Sequence, residues 1–141
     1  MREILFRGKC GYNNEWVEGF YYQAKLYRSD KELCHYITIP HPDCDGQPSD
    51  HIMVNPETVG QFTGLTDKNG KRIFESDIVK IPDDYEEFGI NAGEIYEVYF
   101  AFGGFRLKPK YSKANGFWLE DDATVEIIGN IHDNPELLKE E

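Results

Sequence analysis

Alternation of apolar and polar residues predicts β-strands along most of the chain. Between residues 94 and 102 every second position is apolar, which is the period of a strand with one buried face. The side chains that share this face are Tyr96, Val98, Phe100 and Phe102. Residues 105–111 alternate more sharply, with Phe105, Leu107 and Tyr111 facing away from three basic residues. Further strands are predicted over residues 2–8, 15–23, 35–39, 61–65, 77–81, 117–119 and 124–131.

Turn chemistry separates these segments. Asn69-Gly70, between two apolar runs, is the strongest hairpin signal in the chain. Residues 10–14 supply the Gly and Asn residues that a second hairpin turn needs. Residues 40–49 contain three prolines and are expected to form a loop.

Two short helical turns are also expected. An Asn followed by Pro and Glu opens residues 55–59 and again residues 134–139, and this order suits an N-cap followed by the first turn of a helix. Eight or nine short strands with two such turns predict a mainly β fold, either a small barrel or a sandwich.

Composition narrows the class of protein. The chain has 141 residues, with 15 Lys and Arg against 26 Asp and Glu, a formal net charge of −11. This length favours a single domain. The apolar runs are far shorter than the ~18 residues that span a membrane, and the N-terminus lacks the apolar core of a signal peptide. We therefore expect a soluble intracellular protein whose acidity argues against nonspecific duplex-DNA binding.

Three segments carry a distinctive series of motifs. Residues 2–7 read Arg-Glu-Ile-Leu-Phe-Arg, residues 54–79 contain Gln-Phe-Thr-Gly-Leu-Thr-Asp-Lys-Asn-Gly, and residues 126–138 contain Ile-Ile-Gly-Asn-Ile-His-Asp-Asn-Pro. In this order they resemble the YopX family of phage and prophage proteins, over nearly the whole chain. Ser76 departs from the pattern, because the family usually has Gly before Asp-Ile-Val.

The resemblance implies a β-rich fold that contains an SH3-type barrel. We expect one YopX-like domain over residues 1–141, with a β-hairpin region at about 1–53, a barrel-forming region at about 54–133 and a helical turn at 134–139. It implies no activity and no catalytic residues, because the family is functionally uncharacterised. Since the shared motifs consist largely of turn chemistry, we interpret them as a folding signature rather than an active site.

A metal site is the first alternative that the residues raise. Potential zinc ligands crowd into eighteen residues: Cys34, His35, His41, Cys44 and His51. The paired spacings of structural zinc sites are absent. Cys34 and His35 are neighbours in a predicted strand, so their side chains point to opposite faces. We predict no metal and no cofactor here, with a metal-dependent enzyme as the weakest alternative.

A nucleophilic cysteine and an acidic cation site are two further possibilities that the residues raise. Cys10 lies in a predicted turn, where it is expected to be accessible, but nothing in the sequence lowers its pKa, and the odd cysteine count indicates reduced thiols. The acidic stretches 83–87 and 120–122 lack the spacing of a calcium loop and are interpreted as solvated loops, with mimicry of nucleic acid or docking of a basic host protein as the functional alternative. We therefore predict no catalytic residues and no enzyme.

The one basic strand is the candidate binding surface. Arg106, Lys108 and Lys110 alternate on the face opposite the apolar residues, with Lys113, Phe117 and further aromatic residues nearby. Cations beside aromatic rings suit single-stranded nucleic acid, because phosphates meet the charges and bases stack on the rings. The candidate residues are Arg106, Lys108, Lys110, Tyr111 and Trp118. A merely solvated strand face explains the same alternation.

The functional prediction is a non-catalytic binding or regulatory module in the cytoplasm of a bacterial host. Its eighteen Phe and Tyr residues exceed what one small core absorbs, which favours contact with a host or phage protein or self-association into a homo-oligomer. In residues 15–23, Trp16, Phe20 and Tyr22 share one face that Glu18 interrupts. Single-stranded nucleic-acid binding through residues 105–118 is the alternative, and a membrane partner is not expected.

Overall fold

The computed structural model describes residues 3–25, 33–40, 48–82, 93–110, 117–119 and 125–139. Within these residues eleven strands pair in two antiparallel sheets, and the pairing does not close into a barrel. The strands are β1 Phe6–Lys9, β2 Trp16–Lys25, β3 Leu33–Pro40, β4 Pro48–Met53, β5 Gly60–Thr66, β6 Arg72–Phe74, β7 Asp77–Lys80, β8 Ile95–Ala101, β9 Gly104–Pro109, β10 Phe117–Trp118 and β11 Glu126–Asn130.

The mainly β prediction is therefore confirmed, while the closed barrel is not. The described residues hold two more strands than the nine predicted segments, namely β4 and β6. Strand β4 was not predicted, because the Pro and Asp residues in and around it are typical of loops. The chain forms two compact units, Met1–Phe62 and Thr63–Glu141. The single domain predicted from the sequence stays a prediction.

The first unit is a meander of antiparallel strands in the order β4-β3-β2-β1-β5. The predicted hairpin turn joins β1 to β2, with Asn14 in the left-handed region at φ 58°. Gly19 permits the close approach of β2 and β3, because a Cβ there would lie 2.2 Å from the carbonyl oxygen of Thr38. Fully buried Ile37 lies at the centre of this unit.

The second unit pairs its strands in the order β10-β9-β8-β7-β11, and β6 lies next to β5. The core of this unit consists of Ile73, Val79, Ile81, Tyr96, Val98, Leu107 and Val125. The Tyr96 hydroxyl donates a hydrogen bond to Glu94. Burial, together with this bond, raises the pKa of Tyr96 above its ordinary value, so the phenol stays neutral.

Asp67 organises the predicted Asn69-Gly70 turn, which the structure confirms with Gly70 at φ 81°. Its Oδ1 accepts hydrogen bonds from the backbone N–H groups of Asn69 and Lys71, both at 2.9 Å. Its Oδ2 accepts a third from Ile127 N–H at 3.1 Å. A side chain with two acceptor oxygens thereby ties the turn to β11, which supports reading the motif as a folding signature.

The last motif is built in the same way. Asn130 is buried, and its Oδ1 accepts hydrogen bonds from the backbone N–H groups of His132 and Asp133 at 3.0 and 2.9 Å. Gly129 leaves room for the turn, since a Cβ there would lie 2.5 Å from Oδ1 of Asn134. Both predicted helical turns are present as 3-10 helices, Pro56–Thr58 and Pro135–Leu138, although neither preceding Asn caps its helix with a side-chain hydrogen bond.

Two sequence expectations need correction. Cys10, expected to be accessible in its turn, is buried: it forms a bridge with Val54, which is buried as well, and its backbone takes part in the hydrogen bonds that close the hairpin. The apolar face of β8 is buried at Tyr96 and Val98 but exposed at Phe100 and Phe102. The hairpin of β8 and β9 extends beyond the core, which leaves Phe100 exposed. Phe102 has a left-handed backbone with φ 54°, so the alternation of the strand stops there.

Candidate binding surfaces

Three strands of the first unit present rings and a thioether side by side. Tyr22, Tyr36 and Met53 form one cross-strand row on β2, β3 and β4, with Phe20 in the next row on the same face. Phe20 is 51% exposed, Tyr22 37% and Met53 40%. The rings of Tyr22 and Tyr36 stack with centroids 5.2 Å apart. We call Phe20, Tyr22, Tyr36 and Met53 the first-unit aromatic face.

Basic residues extend this face along β1. The register places Arg7 opposite Glu18 and Lys9 opposite Trp16, so all four side chains belong to the same side of the sheet as Phe20. The Arg7 guanidinium lies 4.5 Å from the centre of the Trp16 ring, and the Lys9 ammonium lies 5.5 Å from it. Cations and rings therefore adjoin on this surface, in the geometry of cation–π contacts.

The structure separates the described members of the predicted metal cluster. Tyr22 hydroxyl and His51 Nδ1 are hydrogen-bonded at 2.9 Å, and Tyr21 hydroxyl and His35 Nδ1 at 2.5 Å. The register places His35 and His51 on opposite faces of the sheet. Within the described residues no three potential ligands converge on one point. His41 and Cys44 lie outside the residues that the structure describes.

The predicted basic strand is β9, and its central cation lies close to two aromatic rings. Arg106 is paired with Tyr99 on β8 and with Trp118 on β10, so the three side chains share one face. The guanidinium lies 4.3 Å from the centre of the Trp118 ring and 5.4 Å from that of Phe102. The two rings are 48% and 73% exposed. We call Phe102, Arg106 and Trp118 the basic–aromatic patch.

Lys108 and Lys110 follow Arg106 on the same strand face, and both line a hollow. Together with Glu97, Pro109 and Leu138 they line a cavity of about 150 Å³, which we call the lysine hollow. Glu97 lies directly opposite Lys108 in the register. Burial raises the pKa of Glu97 above its ordinary value, although the positive charge of Lys108 acts in the opposite direction.

The structure thus brings together four of the five residues predicted as a binding surface, at two adjacent positions. Arg106 and Trp118 belong to the patch, and Lys108 and Lys110 to the hollow. Tyr111 and the two acidic stretches lie outside the described residues. Sequence reasoning missed Phe102, which it assigned to the core. The Gly103-Gly104 pair after it was the available signal, because the chain turns there and frees the ring from the strand.

A family model described as YopX protein matches residues 5–139. The chain belongs to the YopX family. This match confirms the resemblance that the three motifs carry, but it assigns no activity to the residues of the candidate binding surfaces. Among the residues that the structure describes, no helix is long and apolar enough to cross a membrane.

Two relatives match this chain, one in sequence over half of its length and one in fold over nearly all of it. The chain is 36% identical over 75 residues to the SPbeta prophage-derived uncharacterized protein YopX of Bacillus subtilis, a match that covers 50% of the chain and 52% of the relative. The crystal structure of protein EF1440 from Enterococcus faecalis superimposes with a TM-score of 0.55 at 24% identity, covering 99% of this chain and 100% of that one. The latter likeness concerns the fold alone.

Proposed function

We propose that this YopX-family protein is a non-catalytic binding module that recognises an acidic protein surface, including that of a second copy of itself, through the first-unit aromatic face. The observation that carries the proposal is the exposure of Phe20, Tyr22 and Met53 side by side on a regular sheet. Contiguous exposed apolar surface on a folded protein marks interaction sites, whereas isolated exposed residues need no explanation.

The sheet also suits the face to binding. Tyr22 is positioned by its stacking on Tyr36 and by the hydrogen bond of its hydroxyl to His51. Rings already ordered in this way lose little conformational freedom when a partner covers them. A tyrosine presents an apolar body and a polar edge, a combination that is enriched at protein interfaces.

Charge selects the kind of partner. Among the described residues of this sheet face, Arg7 and Lys9 carry positive charge and Glu18 carries negative charge, whereas the whole chain has a net charge of −11. A surface with this balance attracts acidic partners, and opposite charges at an interface favour both encounter and register. A second copy of this acidic chain is such a partner.

Sedimentation velocity over a wide concentration range tests the proposal. We expect the wild type to self-associate, or to bind an acidic protein captured by a photo-crosslinker at position 20, and the double variant Phe20→Ala/Met53→Ala to weaken either contact by at least tenfold. Tyr12→Ala is the matched control, because Tyr12 is 85% exposed in the β1–β2 turn. A monomer at every concentration, with equal crosslinking from positions 12 and 20, would contradict the proposal.

Single-stranded nucleic acid is the second candidate ligand, and the basic–aromatic patch favours it. Arg106 lies against Trp118 while both neighbouring rings remain accessible, so a base can stack on a ring beside a fixed positive charge. Stacking of this kind tolerates any base, and the cations supply a salt-dependent attraction to the phosphates.

Fluorescence anisotropy with a labelled oligothymidylate tests this candidate. Gly104→Ala changes no charge, yet its Cβ would lie 2.6 Å from Cζ3 of Trp118 and would displace the ring. We expect Gly104→Ala and Trp118→Ala each to weaken binding about tenfold, in line with ~1–3 kcal/mol per stacked base. Phe20→Ala serves as the control, and equal binding by all variants would remove the patch from consideration.

A further inference from the structure

The lysine hollow lies on the same strand face as Arg106 but plays no part in the stacking that the patch provides. It is lined by the apolar residues Pro109 and Leu138 and by the charged residues Lys108, Lys110 and Glu97. Two lysines thus line one small cavity. This arrangement is built from three separate elements: β8, β9 with the residue after it, and the C-terminal 3-10 helix.

We infer that the lysine hollow is a phosphate-binding subsite, in which Lys108 and Lys110 hold the oxygens of one phosphate group. The inference deepens the nucleic-acid candidate by assigning the backbone contact next to the stacking position. A free phosphate compound would offer the same chemistry, so the test below distinguishes the two sources.

Size is the first argument. The cavity measures about 150 Å³, several times the ~30 Å³ that a water molecule occupies in the liquid. A phosphate group, with one phosphorus and four oxygens, is small enough to enter a hollow of this size.

Charge is the second argument. Lys108 and Lys110 contribute two positive charges against the single carboxylate of Glu97, so the charged groups lining the hollow are net positive in a chain whose total is −11. Lysine binds phosphate as a compact point charge with three donors, and two lysines can divide the oxygens between them. Among the described residues that line the hollow, Glu97 is the one whose charge opposes an anion.

Spacing along β9 is the third argument. Arg106 and Lys108 project from the same face two residues apart, which corresponds to about 6.7 Å along a strand. Successive phosphates of an extended single strand are separated by a comparable distance. A base stacked at the patch and a phosphate in the hollow can therefore belong to neighbouring nucleotides of one strand.

The test uses the full chain and two probes. Inorganic phosphate is titrated into ¹⁵N-labelled protein at constant ionic strength, and the expected result is shifts at the amides of Lys108, Lys110 and Leu138. A labelled oligothymidylate is titrated in parallel by anisotropy. The double variant Lys108→Gln/Lys110→Gln is expected to abolish the phosphate shifts, to weaken oligonucleotide binding at least tenfold and to reduce its salt slope by about 1.4, or ~0.7 per lysine.

Two further variants make the result specific. Lys71→Gln removes one positive charge from an exposed turn, and twice its effect on the free energy of binding gives the nonspecific electrostatic effect expected of the double variant. Glu97→Gln removes the opposing charge and is expected to tighten phosphate binding severalfold. The amide spectrum of each variant verifies that it is folded, so loss of binding is separated from loss of structure.

The outcomes separate the subsite from the function. Oligonucleotide binding that the double variant weakens by no more than twice the free-energy effect of Lys71→Gln overturns the subsite and leaves the nucleic-acid candidate intact. Phosphate binding at the hollow without oligonucleotide binding supports the subsite, assigns it to a free phosphate compound and overturns the candidate. Absence of both overturns both.

Discussion

The two units differ in where their apolar side chains lie. Among the described residues the second unit buries nine apolar side chains: Ile73, Phe74, Ile78, Val79, Ile81, Tyr96, Val98, Leu107 and Val125. The first unit buries four, namely Cys10, Ile37, Val54 and Phe62, while Phe20, Tyr22 and Met53 stay exposed. The second unit therefore depends on an extensive core and on buried turn acceptors. The first depends on close strand contacts, and six of its described large apolar side chains are exposed, against three in the second unit.

Substituting Gly19 should give the largest loss of stability, because the first unit depends on the close contact between β2 and β3 at this residue. In Gly19→Ala the new Cβ would meet the Thr38 carbonyl oxygen at 2.2 Å, and rigid backbone cannot yield as a side chain does. We expect a loss of about 3 kcal/mol in the free energy of unfolding, measured by urea denaturation. Gly11→Ala, whose nearest neighbour would be 3.8 Å away, should be almost neutral. Equal losses in both variants would show that strand approach does not limit this unit.

Removing the Asp67 carboxylate should give the next largest effect and should act on the second unit. Asp67→Ala leaves the backbone N–H groups of Asn69, Lys71 and Ile127 without this acceptor. We expect a loss of about 2 kcal/mol, and a smaller loss in Asp67→Asn, which keeps one acceptor oxygen. Thermal unfolding of the three proteins measures the order. An alanine variant as stable as the wild type would mean that the core alone holds the turn.

Ser76→Gly should stabilise the second unit. Ser76 has φ 74°, in the left-handed region where an L side chain is strained and glycine is not. The family's usual Gly at this position has a physical reason, and restoring it should add about 1 kcal/mol to the free energy of unfolding. Gly70→Ser makes the reverse change at φ 81° and should cost a similar amount. Destabilisation of Ser76→Gly would indicate that the Ser76 hydroxyl makes a contact worth more than the strain.

The pH dependence of Glu97 should give the smallest effect. Burial raises its pKa in the folded chain, so the folded state binds a proton more tightly than the unfolded state. Stability therefore falls as the pH rises from the ordinary glutamate pKa through the raised value. Glu97→Gln lacks this dependence, so its stability relative to the wild type should increase from pH 4 to pH 7, as thermal melts would show. A constant difference across this interval would contradict the assignment.

The turn signals predicted the local structure well, because their physics is local. Asn69-Gly70 forms the expected hairpin turn, and Pro56 and Pro135 open the two expected helical turns. The strand β4 was not predicted, since its Pro, Ser and Asp residues favour a loop and its pairing with β3 supplies the stability. Closure of a barrel likewise depends on pairing between distant strands, which alternation along one segment does not specify.

The sequence by itself determined the family, the mainly β class and the chemistry of the turns, because each depends on short continuous segments of the chain. It also identified the rings of β2 and the cations of β9 as shared faces, since a strand alternates with period two. Only the tertiary structure decided which apolar positions lie beyond the core. It placed Arg106 close to the rings of Phe102 and Trp118, buried Cys10, and set His35 and His51 on opposite faces. Those outcomes depend on strand register, which joins residues that are far apart in the sequence.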